Sequence, residues 1–419
     1  MSHADPLVVE HYQLARRYFL QATIAGGLSL ATSKLWSAEP SDDKSLAEAV
    51  KKLRYLTRQE DFATVERGNP LPYKLPDDKL REVGMIRETW QLEVVPDPES
   101  NSKVDAPLSK EKGTALTFEQ LLKLGEKHAV RFLKVMTCNN GGRPLGMGLW
   151  EGVPLREVIW LAKPVSDIRR VFYHGYHNDD PKQLFQSSMP IGRVLEDPPG
   201  DHPVILCYKL NGELLTGKRG GPVRLVAPEA YGYKSVKWLQ RVVLTNEPYA
   251  NDTYANGNND VDSWMKTCAR FISNPTTAKP ADPWPVTGLA QVGVNGLSKV
   301  QWWLKPKDVE WPADDPYYRN APWKDAELLA PPTNWGGEVD GDLPADVRNF
   351  QEKSPRPKHW PQRYTIAHWA MLVPPQAAGV YELRCRTIDN NGNAQPMPRP
   401  FPKSGNNKIE SVTVTVKEA

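Results

Sequence analysis

The chain has 419 residues, 40% of them hydrophobic and 25% charged, with a formal net charge of +3. That leaves room for two or three domains with sizeable cores, and so small a charge argues against wholesale nucleic-acid binding. The four cysteines, Cys138, Cys207, Cys268 and Cys385, lie far apart with no CxxC pair, which excludes a zinc ribbon, a c-type haem attachment and a cysteine-ligated iron–sulfur motif, and the spacing does not resemble a disulfide framework.

Abundant Pro and Trp, 39 and 14 residues, point to long ordered loops and β-rich structure. Residues 1–40 carry Arg16-Arg17-Tyr18-Phe19-Leu20 and then a weakly apolar run from Ala22 to about Ala31, broken by Gly26 and Gly27. This is the pattern of a twin-arginine export signal and predicts an exported, periplasmic protein; the plainer alternative is an amphipathic N-terminal helix. The run is too short and too rich in Gly and Thr to span a bilayer comfortably, and no other stretch is apolar enough to cross a membrane.

Residues 41–60 read as a short polar helix, followed by Pro-rich loop through Pro76. Trp90 to Val95 alternates like a strand. Thr117-Phe-Glu-Gln120 has the capping-box pattern and opens a helix carrying Leu121, Leu122 and Leu124. An apolar strand from Val130 then delivers Cys138 to a loop of Asn139-Asn140-Gly141-Gly142, with Arg143 behind it and Trp150 closing the segment. Pro154 to Leu161 predicts a helix with Pro near N1, and Val171 to Gly175 a strand. Strands over 203–210 and 213–215 flank Asn211-Gly212, a strong hairpin signal; strands over 223–227 and 236–244 complete a mixed sheet.

Asn274 to Pro285 reads as a Pro-rich linker. Beyond it, 290–294, 300–304, 369–373, 380–388 and 409–416 alternate as short strands, with a turn at Asp389–Asn393. The pattern predicts an immunoglobulin-like β-sandwich holding a long Pro/Trp insertion from about Val309 to Pro361. The expected organisation is an export signal over 1–40, a catalytic domain over 41–273, a linker over 274–285 and the sandwich over 286–419, in an α+β fold.

Two features carry candidate chemistry. A thiol beside a glycine-rich loop and a fixed cation is a candidate soft metal ligand or nucleophile, although a solitary Cys after an apolar run is more often a small buried hydrophobe. Between Lys218 and Arg241 sit six cations, Lys218, Arg219, Arg224, Lys234, Lys237 and Arg241, against one carboxylate, Glu229. With Gly217, Gly220, Gly221 and Gly232 among them, they could cradle a phosphate or other oxyanion or form a solvated basic face. His174 and His177, at a predicted strand end, could line a pocket or be structural.

These residues also carry a resemblance. Cys138 with Arg143, Leu149-Trp150-Glu-Gly152-Val-Pro-Leu155, Ser188-Met-Pro190, Tyr208-Lys-Leu-Asn211-Gly-Glu213, Gly221-Pro-Val-Arg224 and Ser235-Val-Lys237-Trp238-Leu239 occur in this order. Over approximately residues 55–418 the chain resembles the sulfite oxidase family of molybdopterin-dependent oxidoreductases. The resemblance implies a mixed α/β sulfite-oxidase-type molybdopterin-binding domain followed by an immunoglobulin-like dimerisation domain, and hence a homodimer. It implies that Cys138 is the single protein ligand to molybdenum, a soft thiolate beside the dithiolene of the pyranopterin. It makes Arg224 and Lys237 holders of the pterin and phosphate, with Ser235, Ser188 and Asn140 beside them. Arg143 matches a cation facing the substrate oxyanion, and Arg67 matches a second, in a local sequence that departs from the family pattern. Tyr249, with Tyr254 as the competing choice, matches an active-site phenol. Arg219 stands where the family often has His, and Asn139-Asn140-Gly141-Gly142 departs from the usual sequence after the ligand cysteine.

The implied activity is oxygen-atom transfer on a small anionic sulfur substrate, sulfite first, with no haem in the chain and electrons passed to a separate acceptor such as a cytochrome c. The alternatives are a reductase of a sulfoxide or other oxo-substrate, and a metal-free, non-catalytic binding protein. No nucleic acid and no membrane span are expected.

Overall fold

The computed structural model describes residues 44–165, 167–336, 343–352 and 354–418; the export segment expected over 1–40 lies outside them. The chain enters through α1 (Lys44–Lys51) and α2 (Asp77–Glu82), then β1 (Gln91–Pro96). β2 (Leu116–Thr117) runs into α3 (Phe118–His128), which begins as its sequence requires. The Thr117 hydroxyl accepts from the Gln120 amide at 3.3 Å, while the Gln120 side chain accepts from the Thr117 amide at 2.9 Å.

β3 (Val130–Thr137) and β4 (Pro144–Pro154) form a long hairpin around the cysteine loop, followed by α4 (Leu155–Leu161). The segment up to Trp150 is therefore strand rather than loop beyond Arg143. Gly146 and Gly148 permit this because Phe62 and Leu210 press on them: an added Cβ would lie 2.6 Å and 2.3 Å from those side chains. β5 (Arg170–Gly175), β6 (Gln186–Pro190) and α5 (Ile191–Leu195) follow. β7 (Ile205–Leu210) turns into β8 (Glu213–Leu214) at Asn211-Gly212, whose φ values of 54° and 87° are those of a two-residue hairpin turn.

β9 (Arg224–Val226) and β10 (Leu239–Thr245) complete this part. β10 starts three residues later than the apolar run suggests, because Trp238 has φ of 54°, uncommon for a bulky residue, and donates its amide to Gly220 rather than to the ladder. One sheet has the order β2-β1-β10-β5-β6, with β1 parallel to β10; the other runs β3-β4-β7-β8, with β9 on β7.

The C-terminal part is all β: β11 (Cys268–Ser273), β12 (Thr277–Ala278), β13 (Trp284–Gln291), β14 (Lys299–Pro306), β15 (Lys324–Leu328), β16 (Ile366–Val373), β17 (Gly379–Ile388) and β18 (Glu410–Val416). Their order is β11-β13-β16-β15-β14-β17-β18-β12. β15 pairs first with β14 and then with β16, so it passes from one layer to the other, and β11 packs against β17 across a core of Phe271, Trp302, Trp369, Leu383 and Val414. Two expectations change here. The stretch expected as linker contains β12, paired with Thr415 and Val416, and the insertion supplies β15.

The two parts share a core. Leu133, Val135, Met147 and Leu149 of β3 and β4 pack with Met265, Trp335, Phe350, Tyr364 and Ile366, and α1 lies on β13 and β16. No helix among the described residues is long and apolar enough to cross a membrane.

Candidate active site

Cys138 lies just past the end of β3, at a cavity walled by the β9 region, the loop through Arg219, the 232–238 turn and the 62–67 segment. Six of the residues picked from the sequence line this one cavity: Cys138, Arg67, Arg219, Arg224, Ser235 and Lys237. No carboxylate stands among the described residues lining it.

The buried Arg224 frames the cavity. It donates from Nη1 to the Arg219 carbonyl at 2.8 Å and from Nη2 to the Ser235 carbonyl at 2.7 Å, joining both basic loops, and its guanidinium lies 5.3 Å over Trp150. Its Nε is buried with no hydrogen-bond partner among the described residues, and so is Nε of Arg219, whose other donors reach Thr64 and the Ala63 carbonyl. Burial, opposed by Cys207 and helped by neighbouring Arg219, lowers the pKa of Arg224 to about 10. Lys237 is pushed down to about 7 by burial and then by Arg224 and Arg219. Gly220, at φ of 99°, packs directly on Lys237; a Cβ there would lie 2.8 Å from its Cγ. The Ser235 hydroxyl accepts from the Ala227 amide at 3.1 Å and keeps its own proton to donate.

Such a pocket is costly when empty. Concentrated cations, two unpaired buried guanidinium donors and a thiol suit an anion that reaches both ends. One thiol does not hold a metal by itself; it supplies one ligand to a metal that arrives with its own chelator. The donor set fits a pterin phosphate along Arg219, Arg224, Ser235 and Lys237, with its metal at Cys138.

Four residues picked from the sequence lie elsewhere. Arg143 is displaced because β4 starts at Pro144 and carries it to the surface, where it pairs with Glu410 and donates to the Phe271 carbonyl at 3.2 Å. Tyr249 is 72% exposed, beside Asp97, Glu99 and Glu247. Tyr254 lines the cavity instead, stacked on Tyr233 at 3.6 Å between ring centroids, its pKa raised by burial and then by Cys138. Ser188 donates to Asp252 at 2.8 Å and to the Ala250 carbonyl at 3.2 Å, away from the cavity. Asn140 is exposed; its buried neighbour Asn139 lines the cavity.

His177 also lines the cavity, whereas His174 does not. The buried His177 ring sits edge-on to Trp238, with Nδ1 3.0 Å from the Gly175 carbonyl; that oxygen can only accept, so the proton lies on Nδ1. Burial lowers its pKa to about 4, leaving a neutral ring near pH 7. Part of the cavity wall, unmarked in the sequence, is apolar: Phe62, Val65, Leu145 and Phe185, the last with Arg67 4.0 Å over its ring. No local pattern marks these side chains, since distant segments bring them together.

Residues 85–253 match the family model described as the oxidoreductase molybdopterin binding domain. Sulfite oxidase of Gallus gallus is 26% identical over 375 residues, covering 88% of this chain and 73% of the relative. A nitrate reductase [NADPH] of Beauveria bassiana is 30% identical over 126 residues, or 30% of this chain but only 13% of the relative. Among solved structures, the sulfane dehydrogenase SoxCD from Paracoccus pantotrophus shares the fold along the whole of both chains, with a TM-score of 0.55 and 18% identity.

Proposed function

Because the chain belongs to the sulfite oxidase family of molybdopterin-dependent oxidoreductases, we propose that it oxidises a small sulfur oxyanion, sulfite first, and passes the electrons to a separate acceptor such as a cytochrome c. The observation that carries this reading is the convergence of Cys138, Arg67, Arg219, Arg224 and Lys237 on one cavity with no carboxylate among the described residues that line it. The reading includes export by the twin-arginine pathway and a homodimer built on the C-terminal β unit.

The molybdenum cofactor, once bound, supplies oxygen-atom and two-electron chemistry; the chain supplies position and charge. Arg219 and Arg224 offer their free Nε donors, and Ser235 its hydroxyl, to the cofactor's anionic arm. Lys237, whose pKa burial and the neighbouring Arg224 and Arg219 lower to about 7, is drawn fully to the ammonium form by that anion. Cys138 gives the metal its one protein thiolate. Arg67, at the exposed edge beside Phe185, draws an anionic substrate inward. Tyr254, a neutral phenol, has a proton to donate to an oxygen in the cavity. His177, neutral with Nδ1 engaged, is left as a hydrogen-bond acceptor.

The second reading, a reductase of a sulfoxide or other oxo-substrate, is favoured by the apolar lining residues Val65, Leu145 and Phe185, which suit a substrate with an organic arm. Anaerobic sulfite should bleach the thiolate-to-metal absorption of the loaded enzyme. Absence of bleaching, together with reoxidation of the reduced enzyme by a sulfoxide, would replace the first reading by the second.

A further inference from the structure

The loop that presents Cys138 is fastened by the C-terminal β unit. The Asn139 carbonyl accepts from the Asn406 amide at 2.8 Å, and its side chain accepts from the Gly405 amide at 3.3 Å and donates to the Lys403 carbonyl at 3.4 Å. The Asn140 carbonyl accepts from the Asn406 side chain at 3.5 Å. Buried Arg270 of β11 donates from Nε to the Gly142 carbonyl, from Nη1 to the Lys408 carbonyl at 2.6 Å and from Nη2 to the Asn406 carbonyl at 3.4 Å, so one fork holds both segments. Thr137, just before the cysteine, bonds to Gln291 of β13. Shape agrees: Gly142 has φ of 68°, and a Cβ on it would lie 3.0 Å from Nδ2 of the Asn406 side chain. The sole bond recorded within the loop backbone, among the described residues, is the Gly141 amide to the Cys138 carbonyl at 3.2 Å.

We propose that residues 403–410, locked through Arg270, form a clamp that sets the position and exposure of the Cys138 thiol, with Asn139 and Arg270 as positioning residues. The C-terminal unit is thereby a working part of the active site. Asn139 acts through its neighbour: its amide is spent on the clamp. The inference rests on Cys138 being the ligand thiolate, but the clamp itself is testable without the cofactor.

The test is the rate at which iodoacetamide alkylates Cys138 in cofactor-free protein, where Cys207, Cys268 and Cys385 are buried and Cys138 is half-buried. Asn139→Ala, which deletes two clamp bonds, and Arg270→Lys, which keeps the charge and loses the fork, should each raise that rate roughly tenfold in a protein that still unfolds cooperatively. Val414→Ala, a core truncation in the sandwich, should alkylate at the wild-type rate. In cofactor-loaded protein the two clamp variants should also shift the thiolate-to-metal absorption band. Rates for both clamp variants within about twofold of wild type, or equal acceleration by Val414→Ala, would overturn the proposal. If Asn139→Ala does not fold, Asn406→Ala, which removes the side-chain bond to the Asn140 carbonyl and the one accepted from the Lys408 amide, answers the same question. A wild-type protein lacking the absorption band would remove the ligand reading and leave the alkylation result standing.

Discussion

Tyr249 and Tyr254 lie on one short segment, yet the first is 72% exposed while the second is stacked inside the cavity wall. Tyr254→Phe should therefore lower turnover by roughly tenfold or more, while Tyr249→Phe leaves it at the wild-type value; steady-state kinetics on the two variants decide it. Arg143→Ala should leave KM for the substrate unchanged and cost about 1 kcal/mol of stability or less, since its guanidinium is half in water and pairs with Glu410. The sequence made Cys138, Arg219, Arg224, Ser235 and Lys237 legible through the order of the motifs and the glycines among the basic residues, while Arg67 was marked only by a match whose surroundings depart from the pattern. Arg143 was misplaced because its direction depends on where β4 begins and on a carboxylate 267 residues away. Phe185 enters the cavity by tertiary packing alone, which leaves no local trace, and of the two histidines marked at the strand end only His177 reaches it.

Between residues, the loop from Gly217 to Gly221 matters as much as the cations it carries. Gly220→Ala places a Cβ against Lys237 at a backbone angle that disfavours any side chain. The variant should keep its far-ultraviolet circular dichroism and lose much of its molybdenum, as measured by metal analysis. Elements with strong local chemistry were readable: the Thr117–Gln120 capping box and the Asn211-Gly212 turn formed as expected. β15 was not, because Lys324-Asp-Ala-Glu-Leu328 is mostly exposed or half-buried and is held by backbone pairing to two strands. β12 hid for the same reason inside a Pro-rich stretch.

Across the whole molecule, burial of titratable groups makes stability depend on pH with a definite sign. Lys134, Lys237 and Lys266 are lowered to about 7 and Lys234 to about 8. From those values up to the ordinary lysine range the unfolded chain binds more protons, so stability rises with pH. His174 and His177 at about 4 and His202 at about 3 extend the same slope downward, with stability lost as pH falls below the ordinary histidine value. The melting temperature of cofactor-free protein should climb from pH 4 to pH 6.5 and again from about pH 7 to pH 9, and Lys237→Met should flatten the upper rise. Calorimetry across that range checks both, and a flat upper branch would refute the lysine assignment. The shared core makes a further demand. Trp335→Ala, at a fully buried ring between the two parts, should cost about 3–5 kcal/mol and leave one unfolding transition rather than two. The central claim is that the cation-lined cavity and Cys138 hold a molybdenum cofactor. Metal analysis of protein made in a cofactor-competent host, with Cys138→Ser in parallel, tests it most directly. The account predicts about one molybdenum per chain in the wild type and a lost thiolate-to-metal absorption band in a folded Cys138→Ser variant. A folded wild-type protein without molybdenum would contradict it.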